Sequence, residues 1–283
     1  MNKLLVLSYN IWFEEIVEEE RLCSLIKIIT HIHPDIVCLQ EVKPYIYDIL
    51  IKELKKYSYH FPKKITSNYG CVIFSKYPIT KCMTYPFTNS MMGRSLIISK
   101  IDYPYYCKDS SIEKVEIVIV TTHFESIFNK KYENTIKIDQ FKMAHYILNQ
   151  LYDSYKNVIF CVDTNIIENE EDKFIPTRNS TRELITELIT ELITESTINK
   201  DTHIWLDAWK EHGELSNKFT FDSVNNIYLK LKNCKYRSRL DRVLYRCQAC
   251  KVEEFELIKH INLKKQISDI IEPSDHFGIL IKF

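Results

Sequence analysis

Five short polar motifs carry side chains that could do chemistry together: Tyr9-Asn10, Gln40-Glu41, His123-Phe124-Glu125-Ser126, Asp163-Thr164-Asn165 and Ser274-Asp275-His276. Each stands at the edge of a run rich in Val, Ile, Leu and aromatic residues. Acids, amides and imidazoles gathered in one place would hold a hard divalent cation and support attack at phosphorus. Mg2+ takes oxygen ligands, and phosphoryl transfer depends on positioning and charge neutralisation. The motifs are far apart along the chain, so they act only if one fold collects them at one face of its sheets.

The elements that must do this are legible as runs. Strand-like segments are predicted at Leu4–Trp12, Asp35–Val42, Gly70–Lys76, Ser95–Asp102, Val115–His123, Val158–Asp163, Leu240–Tyr245 and Phe277–Phe283. Helical spacing occupies Glu15–Ile32, where Val17, Leu22, Leu25, Ile26, Ile29 and Ile32 recur at three and four until Pro34 stops the pattern. Two further helices are predicted at Tyr45–Tyr57 and Ile136–Tyr152. Helices between strands, with antiparallel-looking neighbours such as 70–76 and 95–102, give an α/β fold: a two-sheet sandwich with helices covering both outer faces.

Composition narrows the function classes. A chain of 283 residues with 45% hydrophobic content can bury a large core, and one catalytic domain over 1–283 is expected. No apolar stretch is long enough to span a bilayer and the N-terminus reads as a strand, so a protein inside the cell, in nucleus or cytoplasm, with no membrane partner is expected. Nine cysteines at irregular spacing suit reduced thiols, and Cys247-x-x-Cys250 lacks the second pair that structural zinc needs. Four glycines exclude a glycine-rich phosphate loop. The formal charge of zero argues against wrapping a duplex, yet Lys230, Lys232, Lys235, Arg237, Arg239, Arg242 and Arg246 interleave with Tyr228, Tyr236 and Tyr245. That run suits either nucleic-acid contact or a solvated strand edge. Glu-Leu-Ile-Thr repeats at Glu183, Glu187 and Glu191; it reads as a low-complexity insertion at about 176–198, outside the chemistry.

Taken in order, the motifs resemble the endonuclease/exonuclease/phosphatase superfamily, from Leu4 to Phe283. Further segments resemble its 5′-tyrosyl-DNA phosphodiesterase branch: Tyr85-Pro86-Phe87-Thr88-Asn89 with Met91-Met92 and Arg94, Asp207-Ala208-Trp209, Phe219-Thr220-Phe221-Asp222, Arg239-Leu240-Asp241-Arg242 and Pro273-Ser274-Asp275-His276-Phe277-Gly278. The resemblance implies an Mg2+-dependent hydrolase, with Mn2+ as a substitute, that acts in DNA repair. Its partner would be the 5′ end of single-stranded or overhanging DNA carrying a tyrosine or peptide from a trapped topoisomerase, and it would be monomeric. With the first motif at Tyr9, no room is expected ahead of it for the ubiquitin-binding module that some relatives carry. Substrate contacts carry over to Asn10, Trp12, Arg94, Glu125, Ser126, Phe221 and Leu240.

Chemistry assigns the roles. Glu41, backed by Asn10, is the expected Mg2+ ligand, since this ion keeps several waters and needs one or two protein carboxylates. Asp163 is expected to deprotonate the attacking water and Asn165 to fix its line of approach. His123 and His276 would donate to the non-bridging oxygens, with Asp275 holding the His276 tautomer. Tyrosine phenol ionises near pH 10, so it departs with less protonation than a sugar alkoxide. Each residue alone also has a structural explanation, as a cap, an Asx turn or a core histidine.

The chain departs from the family pattern at Val162, where relatives have Gly, and at Ile167, where they have Arg; Arg178 or Arg94 is the expected replacement. Phe221 and Leu240 stand where relatives have Trp and Phe. The competing readings are an abasic-site endonuclease, a 3′ deadenylase, a lipid phosphodiesterase, or a non-catalytic module that holds a nucleic-acid end.

Overall fold

The computed structural model describes residues 3–106, 112–126, 133–166, 205–259 and 271–283. The repeat at 183–194, Ile167 and Arg178 lie outside them.

Strand β1 (Leu5–Asn10) pairs in parallel with β2 (Ile36–Val42), through helix α1 (Glu18–Ile32). After α2 (Pro44–Glu53) the chain adds β3 (Tyr59–Phe61) and β4 (Gly70–Ser75) at one edge of this sheet. The other edge is made much later by β13 (Glu254–Ile258) and β14 (Gly278–Lys282), giving the order β13-β14-β1-β2-β4-β3. The second sheet is built from β5 (Ile79–Pro86), β6 (Ser95–Tyr106), β7 (Ile112–His123), β8 (Asn157–Asp163), β9 (Leu206–Asp207) and β12 (Asp241–Cys247), ordered β5-β6-β7-β8-β12-β9. Helix α3 (Glu133–Tyr155) connects β7 to its parallel neighbour β8. Short helices α4 (Ala208–His212) and α5 (Ile227–Leu231) and a two-stranded ribbon, β10 (Phe221–Asp222) with β11 (Arg237–Ser238), complete the described chain.

Side-chain parity divides the core into three layers. Val6, Ile36, Cys38, Ile73, Ile97, Ile117, Ile119, Ile159, Cys161 and Val243 pack between the sheets. Leu7, Tyr9, Val37, Leu39, Val72 and Phe74 point the other way, onto Leu25, Ile28 and Ile29 of α1 and Leu50 of α2. Val118, Val120, Val158, Phe160 and Val162 meet Phe141, Ala144 and Leu148 of α3. This is the period-two alternation of strands buried on both faces, and helices cover both outer faces as the sequence predicts.

The predicted strands and helices are present; β1 and α2 are shorter than predicted, whereas β6 runs on to Tyr106, β7 starts at Ile112 and α3 covers Glu133–Tyr155. One pairing differs: β4 and β6 are not neighbours but belong to opposite sheets. Between them runs β5, whose register with β6 extends from Ile79↔Ile101 to Pro86↔Ser95. Most of its residues are exposed, so it has no apolar signature. The cysteines among the described residues are free thiols, and no described helix is long and apolar enough to cross a membrane.

Candidate active site

The same parity that sorts the core aims the polar motifs. Asn10 continues the inward series Val6–Ser8, His123 continues Ile117–Ile119–Thr121, Asp163 continues Ile159–Cys161, and Asp241 precedes Val243 and Tyr245. All four therefore project between the sheets at one end of the sandwich. Ladder register fixes their spacing, because His123 pairs with Asp163, Asp163 with Asp241, and Asn10 with Gln40. Gln40 stitches the two sheets just beneath, donating from Nε2 to Thr121 Oγ1 at 3.0 Å.

Glu41 is the exception that parity would send outward. The register of β2 against β4 shifts between Leu39 and Val42, and Glu41 takes a left-handed backbone with φ 61°. Such a conformation is uncommon for a residue with a Cβ and marks a local constraint. It brings the carboxylate in beside Asn10.

Asn10 organises the acids. Its amide oxygen accepts from the Trp12 N–H at 2.9 Å, so its nitrogen must face inward; there it donates to Glu41 Oε1 at 3.1 Å and Asp163 Oδ2 at 2.8 Å. The expected role of Asn10 as a backing metal ligand is not what this orientation offers, since an amide nitrogen carries no free donor pair. The Phe13 N–H donates to the other Glu41 oxygen at 2.8 Å. Asp163 Oδ1 accepts from the Asn165 N–H at 3.0 Å, while the Asn165 side chain turns away to the Phe124 carbonyl.

Two imidazoles face this group in different protonation states. Burial drives the His123 imidazolium down to about 3, with Arg94 and His276 adding to it against Asp163, so the ring is neutral at physiological pH. Its Nε2 lies 3.4 Å from Asp163 Oδ2, and its Nδ1, with no hydrogen-bond partner among the described residues, lies 3.7 Å from Glu41 Oε1. For His276, burial also opposes the charge, but Asp241, Asp163 and Asp275 outweigh it and hold the ring well above the ordinary histidine value. The orienting carboxylate is Asp241, whose Oδ2 is 2.8 Å from Nδ1. Asp275, expected in that role, sits 4.0 Å from the other nitrogen, because the Ser274-Asp275-His276 turn points consecutive side chains apart.

The donor set suits a divalent cation. Glu41, Asp163, Asp241 and Asp275 are all buried at this end of the sandwich. Burial first, and then the charge of Asp275, push Glu41 up to about 7; burial likewise raises Asp241 and Asp275. Asp163 stays low despite burial because both imidazoles, Asn10 and the Asn165 amide favour its charged form. Crowded acids with depressed ionisation are the signature of a site completed by positive charge. Ligand atoms of Asp163, Asp241 and His276 also lie within 4.8 Å of one another, but the Asp241 to His276 bond already occupies two of them.

The expected substrate contacts divide. Arg94 stands near the site, with NH2 donating to Ser126 Oγ at 3.2 Å and the guanidinium 5.1 Å over the Tyr69 ring, which has Phe13 stacked on it at 4.8 Å. Phe221 stacks on Tyr236 and meets the His276 ring edge-on at 5.1 Å; Leu240 packs beside it. Glu125 is fully buried and saturated, accepting from Ser90 Oγ, the Met91 and Met92 amides and Gln140 Nε2. It shapes the 87–94 loop and leaves no oxygen for a ligand. Trp12 is 5% exposed, between Arg21 and Lys232 at 4.3 Å each, and is no open stacking platform.

The basic run also resolves into structural ties. Arg239 is buried and donates to both oxygens of Asp207, Arg237 forks onto Asp222, Arg246 covers the Tyr152 ring, and Arg242 is buried. Asp241, in the midst of that run, is the site residue that sequence reasoning passed over. The signal available was its position one residue after an apolar Leu240 and at the head of an alternating strand.

The sequence model of the Endonuclease/Exonuclease/phosphatase family matches residues 7–276. Tyrosyl-DNA phosphodiesterase 2 of Bos taurus is 28% identical over 273 residues, covering 92% of this chain and 62% of that protein. The same enzyme from Xenopus laevis is 27% identical, covering 92% and 60%; the chain thus spans about three fifths of these relatives. Among solved structures, truncated Caenorhabditis elegans TDP2 superposes with a TM-score of 0.71 at 22% identity, over 99% of this chain and 97% of that one. D. rerio TDP2 complexed with a single-strand DNA product gives 0.70 at 18%, over 100% and 99%.

Proposed function

The chain belongs to the endonuclease/exonuclease/phosphatase family, and from that premise we propose that it is a divalent-cation-dependent phosphodiesterase that releases tyrosine or a tyrosine-linked peptide from a DNA 5′ end, leaving a 5′-phosphate. The observation that carries the chemistry is the Asn10 amide bridging Glu41 and Asp163, with the His123 ring beside Asp163 and the His276 ring held by Asp241 opposite. The named relatives and the solved complex with a DNA product support the choice of substrate. The two sheets act as one catalytic domain, with the repeat segment an insertion outside the chemistry.

Glu41 would hold Mg2+ or Mn2+, which supplies charge neutralisation at the phosphate. Asp163, ionised and fixed by Asn10 and the Asn165 amide, accepts a proton from the attacking water. His276, protonated through Asp241, donates to a non-bridging oxygen as its charge grows, and His123 donates there as a neutral ring. Arg94 extends the positive wall. Phe221, stacked on Tyr236 and edge-on to the His276 ring, forms the apolar wall beside that donor. A phenolate leaving group needs little protonation, which agrees with a site whose histidines are occupied with the phosphate.

The test is hydrolysis of a 5′-phosphotyrosyl single-stranded oligonucleotide beside an abasic duplex and a phosphocholine lipid, each with Mg2+ or EDTA. EDTA-sensitive release of tyrosine, faster than either alternative, is expected. Turnover confined to another phosphoester would refute the substrate and keep the site.

A further inference from the structure

Behind the loop joining β1 to α1 lies a buried arginine outside all five motifs. Arg21, in the first turn of α1, is 2% exposed. One terminal nitrogen donates to the Trp12 carbonyl at 2.6 Å and the Glu14 carbonyl at 3.0 Å, and the guanidinium covers the Trp12 ring at 4.3 Å. These carbonyls flank the two amides that grip the site, Trp12 N–H on Asn10 Oδ1 and Phe13 N–H on Glu41 Oε2. The loop needs such a brace. Trp12 and Val17 have φ of 61° and 40°, left-handed conformations that residues with a Cβ hold only when their surroundings over-determine them.

The same cluster reaches the other half of the site. Tyr228 lies 5.0 Å from the Trp12 ring and donates to the Glu272 carbonyl, while Asn226 donates to the Ser274 carbonyl, so the turn bearing Asp275 and His276 rests on it. Arg21 also borders a small cavity lined by Trp12, Glu18, Glu41, Lys43 and Pro273, and its Nε and NH1 have no hydrogen-bond partner among the described residues. It is thus a fixed cation beneath the acids, and burial pushes Asp275 up while His276, Lys232 and Arg21 draw it back.

We propose that Arg21 is a positioning residue for cation capture: by holding the backbone of residues 12–14 it presets Asn10 and Glu41, so the acids need not reorganise when the ion arrives. This rests on the reading of Glu41 as the ligand. An ordinary brace at a helix start would affect folding alone; this one ends on two hydrogen bonds to the candidate site.

Electron paramagnetic resonance of free Mn2+ tests it, measuring affinity for the wild type, Arg21→Met, Arg21→Lys and Glu41→Gln, with near-ultraviolet circular dichroism to report native packing. Arg21→Met is expected to bind Mn2+ about 10–100-fold more weakly, the range for partners that orient metal ligands, with kcat lowered and KM for the oligonucleotide unchanged. Arg21→Lys keeps the charge and one carbonyl bond, and restores part of the affinity. A folded Arg21→Met protein within twofold of wild type, beside a Glu41→Gln protein that has lost the site, overturns the proposal and leaves the metal reading standing. Wild-type Mn2+ binding by Glu41→Gln instead refutes the metal reading. If Arg21→Met does not fold, Arg21→Lys decides, and wild-type affinity there overturns the proposal.

Discussion

Asp241→Asn isolates the residue that the motifs did not reveal. It keeps the shape of the side chain and a possible hydrogen bond to His276 Nδ1, and removes one charge at 2.8 Å from the ring in a buried setting. Two unit charges about 4 Å apart attract by about 4 kcal/mol at an effective dielectric near 20. Removing the carboxylate therefore takes away stabilisation of that order from the imidazolium, and a donor to a developing oxyanion is itself worth about 10²–10³ in kcat. The sign follows from His276. Its folded-state value is raised, so in the wild type the protonated ring and its stabilising effect persist as pH climbs past the ordinary histidine range, and are lost only as pH passes the folded value. In the variant that value falls, and loss begins at lower pH. Single-turnover hydrolysis of the phosphotyrosyl oligonucleotide between about pH 6 and pH 9, the span in which histidine changes charge, should show a deficit of about 10²–10³ near pH 8 that narrows toward pH 6. Asp163, held low, stays ionised throughout and does not mask the trend. A flat profile with kcat within threefold of wild type would show that Asp241 does not keep His276 charged.

Replacing Asp163 with Asn removes the proton acceptor while preserving its size, and kcat should fall by at least about 10²; near-normal turnover would end its assignment as the base. His276→Ala should cost about as much through the lost donor, with the tyrosine-release rate as the readout. Glu125→Ala strands several donors around one buried position, each worth about 1–3 kcal/mol, so the urea midpoint should drop and KM rise while the metal requirement holds; an unchanged midpoint would contradict the saturated-acid reading. Deleting Thr181–Ser196 should leave kcat intact, and a large loss in a folded deletion protein would give the repeat a role in the chemistry.

Where burial alternates, the sequence was legible. Val6, Leu7, Ser8, Tyr9 and Asn10 spell the two faces of β1, and the inward series in β7 and β8 ends on His123 and Asp163 as the motifs suggest. Four features escaped for physical reasons. β5 is mostly exposed and has no apolar signature, so β6 was paired with the wrong strand. The ion pairs of Arg237 and Arg239 do not show in the basic run because their partners, Asp222 and Asp207, are distant in sequence. Asp275 is next to His276 in sequence but the turn at Ser274-Asp275-His276 points the two side chains apart; register with β8 supplies the orienting acid, Asp241, from another strand. Glu41 reaches the site through a bulge and a positive φ that no residue pattern announced.

The place of β14 sets the order in which the candidate site comes together. It lies between β13 and β1, pairing Leu5 with Lys282, and the Leu4 and Phe283 backbones close the ladder from both sides. On a ribosome, β1 emerges ahead of β14 and waits for that partner on the order of tens of seconds at about 5–20 residues per second. During translation, Asn10 and Glu41 therefore stand on a sheet with a raw edge, while Asp275 and His276 have yet to be polymerised. A chain cut short before β14 would carry Asn10 and Glu41 without Asp275 and His276, so the candidate site closes only when β14 pairs with β1.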